Sequence, residues 1–348
     1  MSRRYRAALT GYYGFGNLGD ELLAEAVIAS LLRCGVPRER LVLFSADPED
    51  ARRRFGVDAV NRWKPARVSE ALGQSETLLF GGGGLFQDAT SPRSCFYYWA
   101  LARLAQLRGA VPWALGQSVG PLSTRAGRFL TRDALKLCRV LQVRDKTSSA
   151  VCASLGLSAE LGRDPVLSLG GVFGLPEFAP PQKAPVREAA SRFLVNLRPC
   201  GAGDLPERFA RALSAEPDLA PRYAGVALAE EDERLMSDLV GRGCLPPMPI
   251  ERVRSLEDAV RVWSAASGAA GMRLHFAVLS VMARVPLAAV PYDPKIESFA
   301  EACGVPLWRC GALPPPVPAA FPASAGEEAR AELDAFCRKG LYKSPSTR

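Results

Sequence analysis

Short β-rich runs alternate with helical patterns through the first half of the chain, at residues 7–13, 41–44, 77–80, 111–115 and 140–143. This alternation constrains the fold more than any other feature of the sequence. Strands separated by helices pair in parallel through crossovers, so the pattern predicts an α/β fold whose parallel sheet is covered by helices on both faces. Behind Asp20, Leu23, Val27 and Leu31 recur every four residues. They predict a helix over 20–33 that Asp20 caps and that carries Glu21 in its first turn. Periodicity stops over 170–185, where Pro176, Pro180, Pro181 and Pro185 gather. It restarts with runs at 193–197, 225–228, 269–272 and 286–290, separated by helical segments such as 206–213 and 256–266. The expectation is two Rossmann-like lobes facing a cleft, over 1–172 and 191–312, joined by a linker over 173–190. Residues 313–348, a Pro-rich stretch and a helical pattern, are expected to pack back on a lobe.

Composition narrows the class. A chain of 348 residues with 48% apolar and 23% charged residues is neither disordered nor a polytopic membrane protein. Its length fits two cores better than one. The apolar stretch 274–290 contains His275, Arg284 and Pro286, which favours a buried helix and strand over a bilayer span. No signal peptide is readable after Met1, and the nine cysteines never form a C-x-x-C pair. They read as reduced thiols of a cytoplasmic protein, neither a disulfide frame nor a zinc site. The excess of 44 Lys+Arg over 36 Asp+Glu gives a net charge of +8, which suits an anionic ligand or an anionic membrane surface and does not by itself imply nucleic acid.

Chemistry-bearing residues cluster where the strands end, which is where open α/β sheets bind ligands. After the first run comes Gly14-Phe15-Gly16-Asn17-Leu18-Gly19-Asp20, a G-x-G-x-x-G pattern between strand and helix. It reads either as a tight turn or as a loop whose N–H groups face an anion or a sugar. After the third run comes Gly81-Gly82-Gly83-Gly84-Leu85-Phe86-Gln87-Asp88. A run of glycines is entropically costly, so it calls for close approach by a ligand or another chain segment, and ligand contact is the favoured reading. Gln117 lies in a third such end, 116–121, and Arg144-Asp145 forms a fourth. The only histidine, His275, follows Arg273 at a strand-to-helix turn. An arginine and a helix N-terminus beside a titratable imidazole make an anion trap, against the plainer reading of a structural histidine. Arg144 is expected to approach from the other lobe, so that two guanidinium groups and one imidazole converge on a ligand. Lys295, in Tyr292-Asp293-Pro294-Lys295, is a further ligand candidate against turn chemistry alone. Tyr97-Tyr98-Trp99 reads as core, with sugar stacking as the second reading.

Taken in order, these blocks resemble the polysaccharide pyruvyl transferases, and within them the CsaB type. They are 11–21, 81–94, 116–121, Arg144-Asp145, Met272-Arg273-Leu274-His275 and 292–295, and they cover nearly the whole chain. The resemblance implies a fold like that of GT-B glycosyltransferases, with the acceptor on the first lobe and phosphoenolpyruvate on the second. The implied reaction places a pyruvate ketal on an N-acetylmannosamine of a lipid-linked cell-wall polysaccharide precursor and serves S-layer anchoring. The family's Arg-Leu-His motif falls on Arg273, Leu274 and His275, and its other phosphoenolpyruvate arginine on Arg144. Asn17 and Asp20, with Gly16, Gly83, Gly84, Gln87, Asp88, Gln117 and Lys295, complete the expected substrate contacts. His275 and Arg273 are the expected catalytic pair. Phosphoenolpyruvate is a co-substrate, and no cofactor or metal is expected. A lipid-linked acceptor and the positive charge together point to peripheral association with the inner face of the membrane. A GT-B glycosyltransferase using a nucleotide sugar, or a binding-only relative of such enzymes, remains an alternative.

Overall fold

The computed structural model describes residues 3–89, 92–173, 192–201, 203–320 and 324–342. They divide into two compact units, one of residues 1–15, 20–169 and 328–348, the other of residues 16–19 and 170–327.

In the first unit, strands β1 (Tyr5–Thr10), β2 (Leu41–Ser45), β3 (Asp58–Asn61), β4 (Ser75–Phe80), β5 (Gly83–Phe86), β6 (Val111–Val119), β7 (Leu141–Val143) and β8 (Glu160–Leu161) form a parallel sheet. Its order is β3-β2-β1-β4-β6-β7-β8, and β5 pairs with β6 off this path. Every residue of β2 is buried, as a parallel strand covered on both faces must be. Helices α1 (Leu18–Arg33) and α2 (Pro48–Phe55) serve one face, while α3 (Pro65–Gly73), α4 (Arg93–Leu107), α5 (Arg125–Lys136) and α6 (Lys146–Ser154) serve the other. Local chemistry sets the helix ends. Asp47 caps α2 by accepting the Asp50 N–H at 3.0 Å, and Gly56 ends that helix with φ +63°, a conformation that suits glycine.

The second unit has the order β11-β10-β9-β12-β13, all parallel. Its strands are β9 (Arg192–Asn196), β10 (Tyr223–Ala227), β11 (Ile250–Arg252), β12 (Ala266–Gly271) and β13 (Leu287–Ala289), with helices α7 (Leu205–Ser214), α8 (Glu230–Gly241), α9 (Leu256–Ser264), α10 (Leu274–Met282) and α11 (Pro294–Cys303). The final helix, α12 (Ala325–Tyr342), lays Leu333, Phe336, Cys337 and Leu341 into the core of the first unit. There Ser30 donates to Asp334 at 2.6 Å and Arg33 grips the same carboxylate through Nε and Nη2.

Several expectations need adjustment. Helix α1 begins at Leu18, so Asp20 lies inside its first turn instead of capping it. The glycine cluster is partly a strand, β5, and Gly81, Gly82 and Gly83 are buried. Residues 313–320 do not travel with α12: Leu287 donates to Val317 O at 2.9 Å and Ala320 to Cys303 O at 2.7 Å, holding this stretch on the second unit. The expected linker over 173–190 falls, beyond Phe173, outside the described residues.

Candidate functional site

Sheet topology selects the place to look in each unit. Where strand order reverses, the crossovers leave in opposite directions and open a crevice at the carboxyl ends. In the second unit the reversal lies between β9 and β12, and in the first between β1 and β4.

At the end of β9, the fully buried Asn196 ties its neighbours together. Its Nδ2 donates to Val226 O at 2.8 Å, and its Oδ1 accepts the Arg273 N–H at 2.9 Å. Arg273 is only 6% exposed. Its Nε donates to Asp232 Oδ2 at 2.6 Å, and its Nη2 donates to Asp232 Oδ1 at 2.7 Å and Glu231 Oε1 at 2.6 Å. Burial works to lower the Arg273 pKa, but these carboxylates outweigh it and raise the value above the ordinary one. The expected anion trap is therefore a guanidinium already neutralised from α8. A bidentate pair of this kind fixes orientation as much as it supplies energy. The bonds engage Nε and Nη2, so Nη1 is the terminal amine outside them. Glu231 and Asp232 were legible only as part of the acidic run Glu230–Glu233 in the first turn of α8, whose ordinary reading is helix-dipole stabilisation.

His275 is half-buried in the first turn of α10. Residues 16–19 group with this unit: Leu18 N–H donates to Leu228 O at 2.8 Å, and Arg252 Nη2 donates to Gly16 O at 3.1 Å. The imidazole lies directly against Gly19, where an added Cβ would stand 2.0 Å from Nδ1 and 2.6 Å from Cγ. The third glycine of the G-x-G-x-x-G pattern thus makes room for the only histidine. Leu274, 6% exposed, is core, and its expected substrate contact is not what its burial provides. Asn17 Oδ1 accepts the Gly19 N–H at 3.3 Å.

Arg198, two residues past β9, carries no local motif in the sequence. Its Nη1 donates to Tyr292 Oη at 2.7 Å, its Cζ stacks 4.7 Å from that ring's centroid, and its Nη2 lies 3.9 Å from Glu231. Lys295 Nζ lies 3.1 Å from Asp293, which also caps α11 by accepting the Lys295 N–H at 3.0 Å. The carboxyl ends of this sheet thus gather Arg198, Arg273 and Lys295 with Glu231, Asp232 and Asp293. Charge is balanced there, so an anion would be held by directed hydrogen bonds more than by net field.

In the first unit, Gly14 has φ +79° and donates its N–H to Glu21 Oε1 at 2.8 Å. Glu21 is 5% exposed, and burial pushes its carboxyl from the ordinary 4.5 up to about 7 against the pull of that bond. The tyrosine Oη of Tyr13 donates to Gly81 O at 3.0 Å. Gly83, with φ +91°, would place a Cβ 3.1 Å from Asp20 Oδ1. The close approach that these glycines permit is by the chain's own side chains. Gly84 differs, since a Cβ there meets nothing within 4 Å.

The remaining expected contacts have partners inside the protein. Asp88 accepts from the Ser123 N–H at 2.7 Å and the Thr124 N–H at 2.8 Å, and from both hydroxyls, at the start of α5. Burial raises its pKa, but those bonds prevail and hold it below the ordinary value. Gln87 Oε1 accepts the Ala89 N–H at 3.0 Å. Gln117 is fully buried and donates to Phe80 O and Leu115 O at 2.9 and 3.0 Å. Arg144, its side chain 4% exposed, donates from Nη1 to Asp164 at 2.7 Å and from Nε to Ser118 at 2.8 Å. Asp164-Pro165, which reads in sequence as a turn, supplies the carboxylate that balances Arg144.

Comparison with known proteins adds a family and a fold. The family model of polysaccharide pyruvyl transferases matches residues 17–294. Among proteins of curated function, none matches the sequence. Similar solved structures include HepE of Anabaena in complex with UDP-glucose, 12% identical with a TM-score of 0.54 over 96% of this chain and 91% of that one. The UDP-GlcNAc 2-epimerase of Neisseria meningitidis bound to UDP-GlcNAc is 11% identical, with a TM-score of 0.54 over 97% and 94%. The UDP-N-acetylglucosamine 2-epimerase of Rickettsia bellii is 11% identical, with a TM-score of 0.56 over 94% and 88%. At such identities the likeness establishes the two-Rossmann, GT-B type of fold and nothing finer. Among the described residues, no helix is long and apolar enough to cross a membrane.

Proposed function

The chain belongs to the polysaccharide pyruvyl transferase family, and we propose that it transfers pyruvate from phosphoenolpyruvate to an N-acetylmannosamine-type sugar of a lipid-linked cell-wall precursor. The product is a pyruvate ketal on a polymer that serves S-layer anchoring, made at the inner face of the membrane. The observation that carries this reading is the family match over 17–294, which takes in the end of the glycine loop from Asn17 onward and the Arg273-Leu274-His275 turn, where Gly19 is shaped around the imidazole.

In this proposal the methylene carbon of phosphoenolpyruvate is protonated and its central carbon becomes electrophilic. One sugar hydroxyl attacks that carbon, the C–O bond to phosphate breaks, and a second hydroxyl closes the ketal. Of the two hydroxyl protons, one balances the new methyl group and the other leaves with phosphate. His275 serves as general acid and base for these transfers. Arg273, oriented by Asp232, and Arg198, oriented by Tyr292, donate to the carboxylate and phosphate, with Lys295 beside them. In the first unit, Asp20 and Gly84 are the proposed contacts of the acceptor. No cofactor or metal enters the scheme.

A binding panel of phosphoenolpyruvate, UDP-glucose, UDP-N-acetylglucosamine and GDP-mannose tests the donor. Phosphoenolpyruvate is expected to bind and the nucleotide sugars are not. Binding of a nucleotide sugar without phosphoenolpyruvate would replace this reading with that of a glycosyltransferase.

A further inference from the structure

The loop after β1 carries two exposed rings in parallel stack, Tyr12 (46% exposed) and Phe15 (36%), with centroids 4.0 Å apart and planes 12° from parallel. Trp63, just beyond β3 and 59% exposed, meets Phe15 edge-on at 6.4 Å, and Tyr97 of α4 lies 5.8 Å from Trp63. Beneath them Arg62, only 5% exposed, places its Cζ 5.3 Å from the Phe15 centroid, 5.2 Å from Trp63 and 4.5 Å from Tyr97. Its Nη1 donates to Gly11 O at 2.6 Å and its Nη2 to Tyr98 Oη at 3.2 Å. A buried guanidinium anchored to the backbone thus contacts Phe15, Trp63 and Tyr97, and Tyr12 is held in turn by its stack on Phe15, while Tyr12, Phe15 and Trp63 remain exposed. Contiguous exposed aromatic surface is costly in water, and its persistence marks a binding face.

We propose that the Tyr12–Phe15–Trp63 face is a stacking platform for a pyranose ring, the one carried by the acceptor saccharide. This rests on the proposed reaction for its biological ligand and on the rings alone for its chemistry. A pyranose is amphipathic in the matching sense, with axial C–H groups on one side and hydroxyls around the edge. Aromatic rings held rigidly receive the C–H side at little entropic cost. Polar partners for the hydroxyl edge are offered by Asn61 and Lys64, which flank Trp63 in the chain and line a cavity of about 550 Å³ together with Asp47 and Arg67. Tyr12 and Phe15 belong to the glycine loop at the strand-order reversal, where an open sheet places its ligand.

The test titrates the protein with methyl glycosides of N-acetylmannosamine, N-acetylglucosamine, glucose and galactose, read by saturation-transfer NMR without phosphoenolpyruvate. At least one glycoside is expected to bind, about tenfold weaker to Trp63→Ala and intermediate for Trp63→Phe, as loss of one stacking contact entails. Tyr12→Ala is expected to weaken it likewise, and thermal melting confirms that these surface variants fold. Parallel flotation with phosphatidylglycerol vesicles separates the other occupant. No glycoside binding by the wild type, equal binding by Trp63→Ala, or a loss confined to vesicles would each overturn the platform. The proposed reaction fails separately, by absence of phosphate release from phosphoenolpyruvate, whatever the platform binds.

Discussion

Replacing Gly19 by Ala probes whether the glycine loop exists to seat His275. The new Cβ would lie 2.0 Å from Nδ1, 2.6 Å from Cγ and 3.0 Å from Cβ of the histidine. Ordinary carbon contacts need about 3.5 Å, so the ring must withdraw by about 1.5 Å. General acid and base groups work within about 2.6–3.2 Å of the atom they serve, and a displacement of about 1 Å costs on the order of 100-fold. Phosphate release is therefore expected to fall about 100-fold. The fold is expected to survive, since alanine suits a helix better than glycine by up to about 1 kcal/mol and the imidazole is half-buried and can turn aside. The assay is the initial rate of phosphate release from phosphoenolpyruvate in Gly19→Ala, His275→Ala and the double variant, with melting curves for each. If the substitution acts through the imidazole, the double variant is no slower than His275→Ala. Undiminished activity in Gly19→Ala, or a further 100-fold loss when it is added to His275→Ala, would refute the reasoning.

Three other substitutions separate support from chemistry. Glu21 has its carboxyl raised from 4.5 to about 7, so the folded state favours the protonated form; that stabilisation is full below about pH 4.5 and lost as pH rises through 7. Glu21→Gln keeps an acceptor for the Gly14 N–H, and urea unfolding at pH 4 and pH 8 should show it gaining on the wild type by about 3 kcal/mol; a constant difference would contradict the buried carboxyl. Asp88→Ala strips α5 of its anchoring carboxylate and is expected to cost about 2 kcal/mol in denaturant unfolding, while the KM for phosphoenolpyruvate stays unchanged; a raised KM with normal stability would return Asp88 to the substrate. Asp232→Asn removes the buried one of the two carboxylates that pair with Arg273, leaving Glu231, and is expected to cost about 3 kcal/mol and to raise that KM; a wild-type KM would remove Arg273 from donor binding.

The parallel sheets were legible because strands and helices alternate and burial leaves a strand such as β2 no exposed positions. Strands β3 and β11 escaped because they are short edge strands with half-exposed residues and no continuous apolar run. The Gly81–Gly84 run signals close approach, but sequence cannot say whether the approaching atoms belong to a ligand or to Tyr13, Leu23 and Asp20. Arg144 and Arg273 were recognisable as strand-end arginines, whereas their carboxylate partners come from Asp164 and Asp232. Those partners sit 20 and 41 residues away, a pairing that only the folded chain reveals. Arg198 carries no local motif, and its place beside Tyr292 follows from β9 and β13 lying on either side of β12.

The central claim is that phosphoenolpyruvate donates pyruvate to a sugar through His275. The most direct measurement is mass spectrometry of an N-acetylmannosamine-bearing diphosphate-lipid analogue after incubation with phosphoenolpyruvate and either wild type or His275→Ala. The wild type is expected to add a pyruvate ketal with stoichiometric release of phosphate, and the folded variant to lose most of both. Ketal formation at wild-type rate by His275→Ala would contradict the assignment of His275, and an unmodified sugar with no phosphate released by the wild type would contradict the reaction.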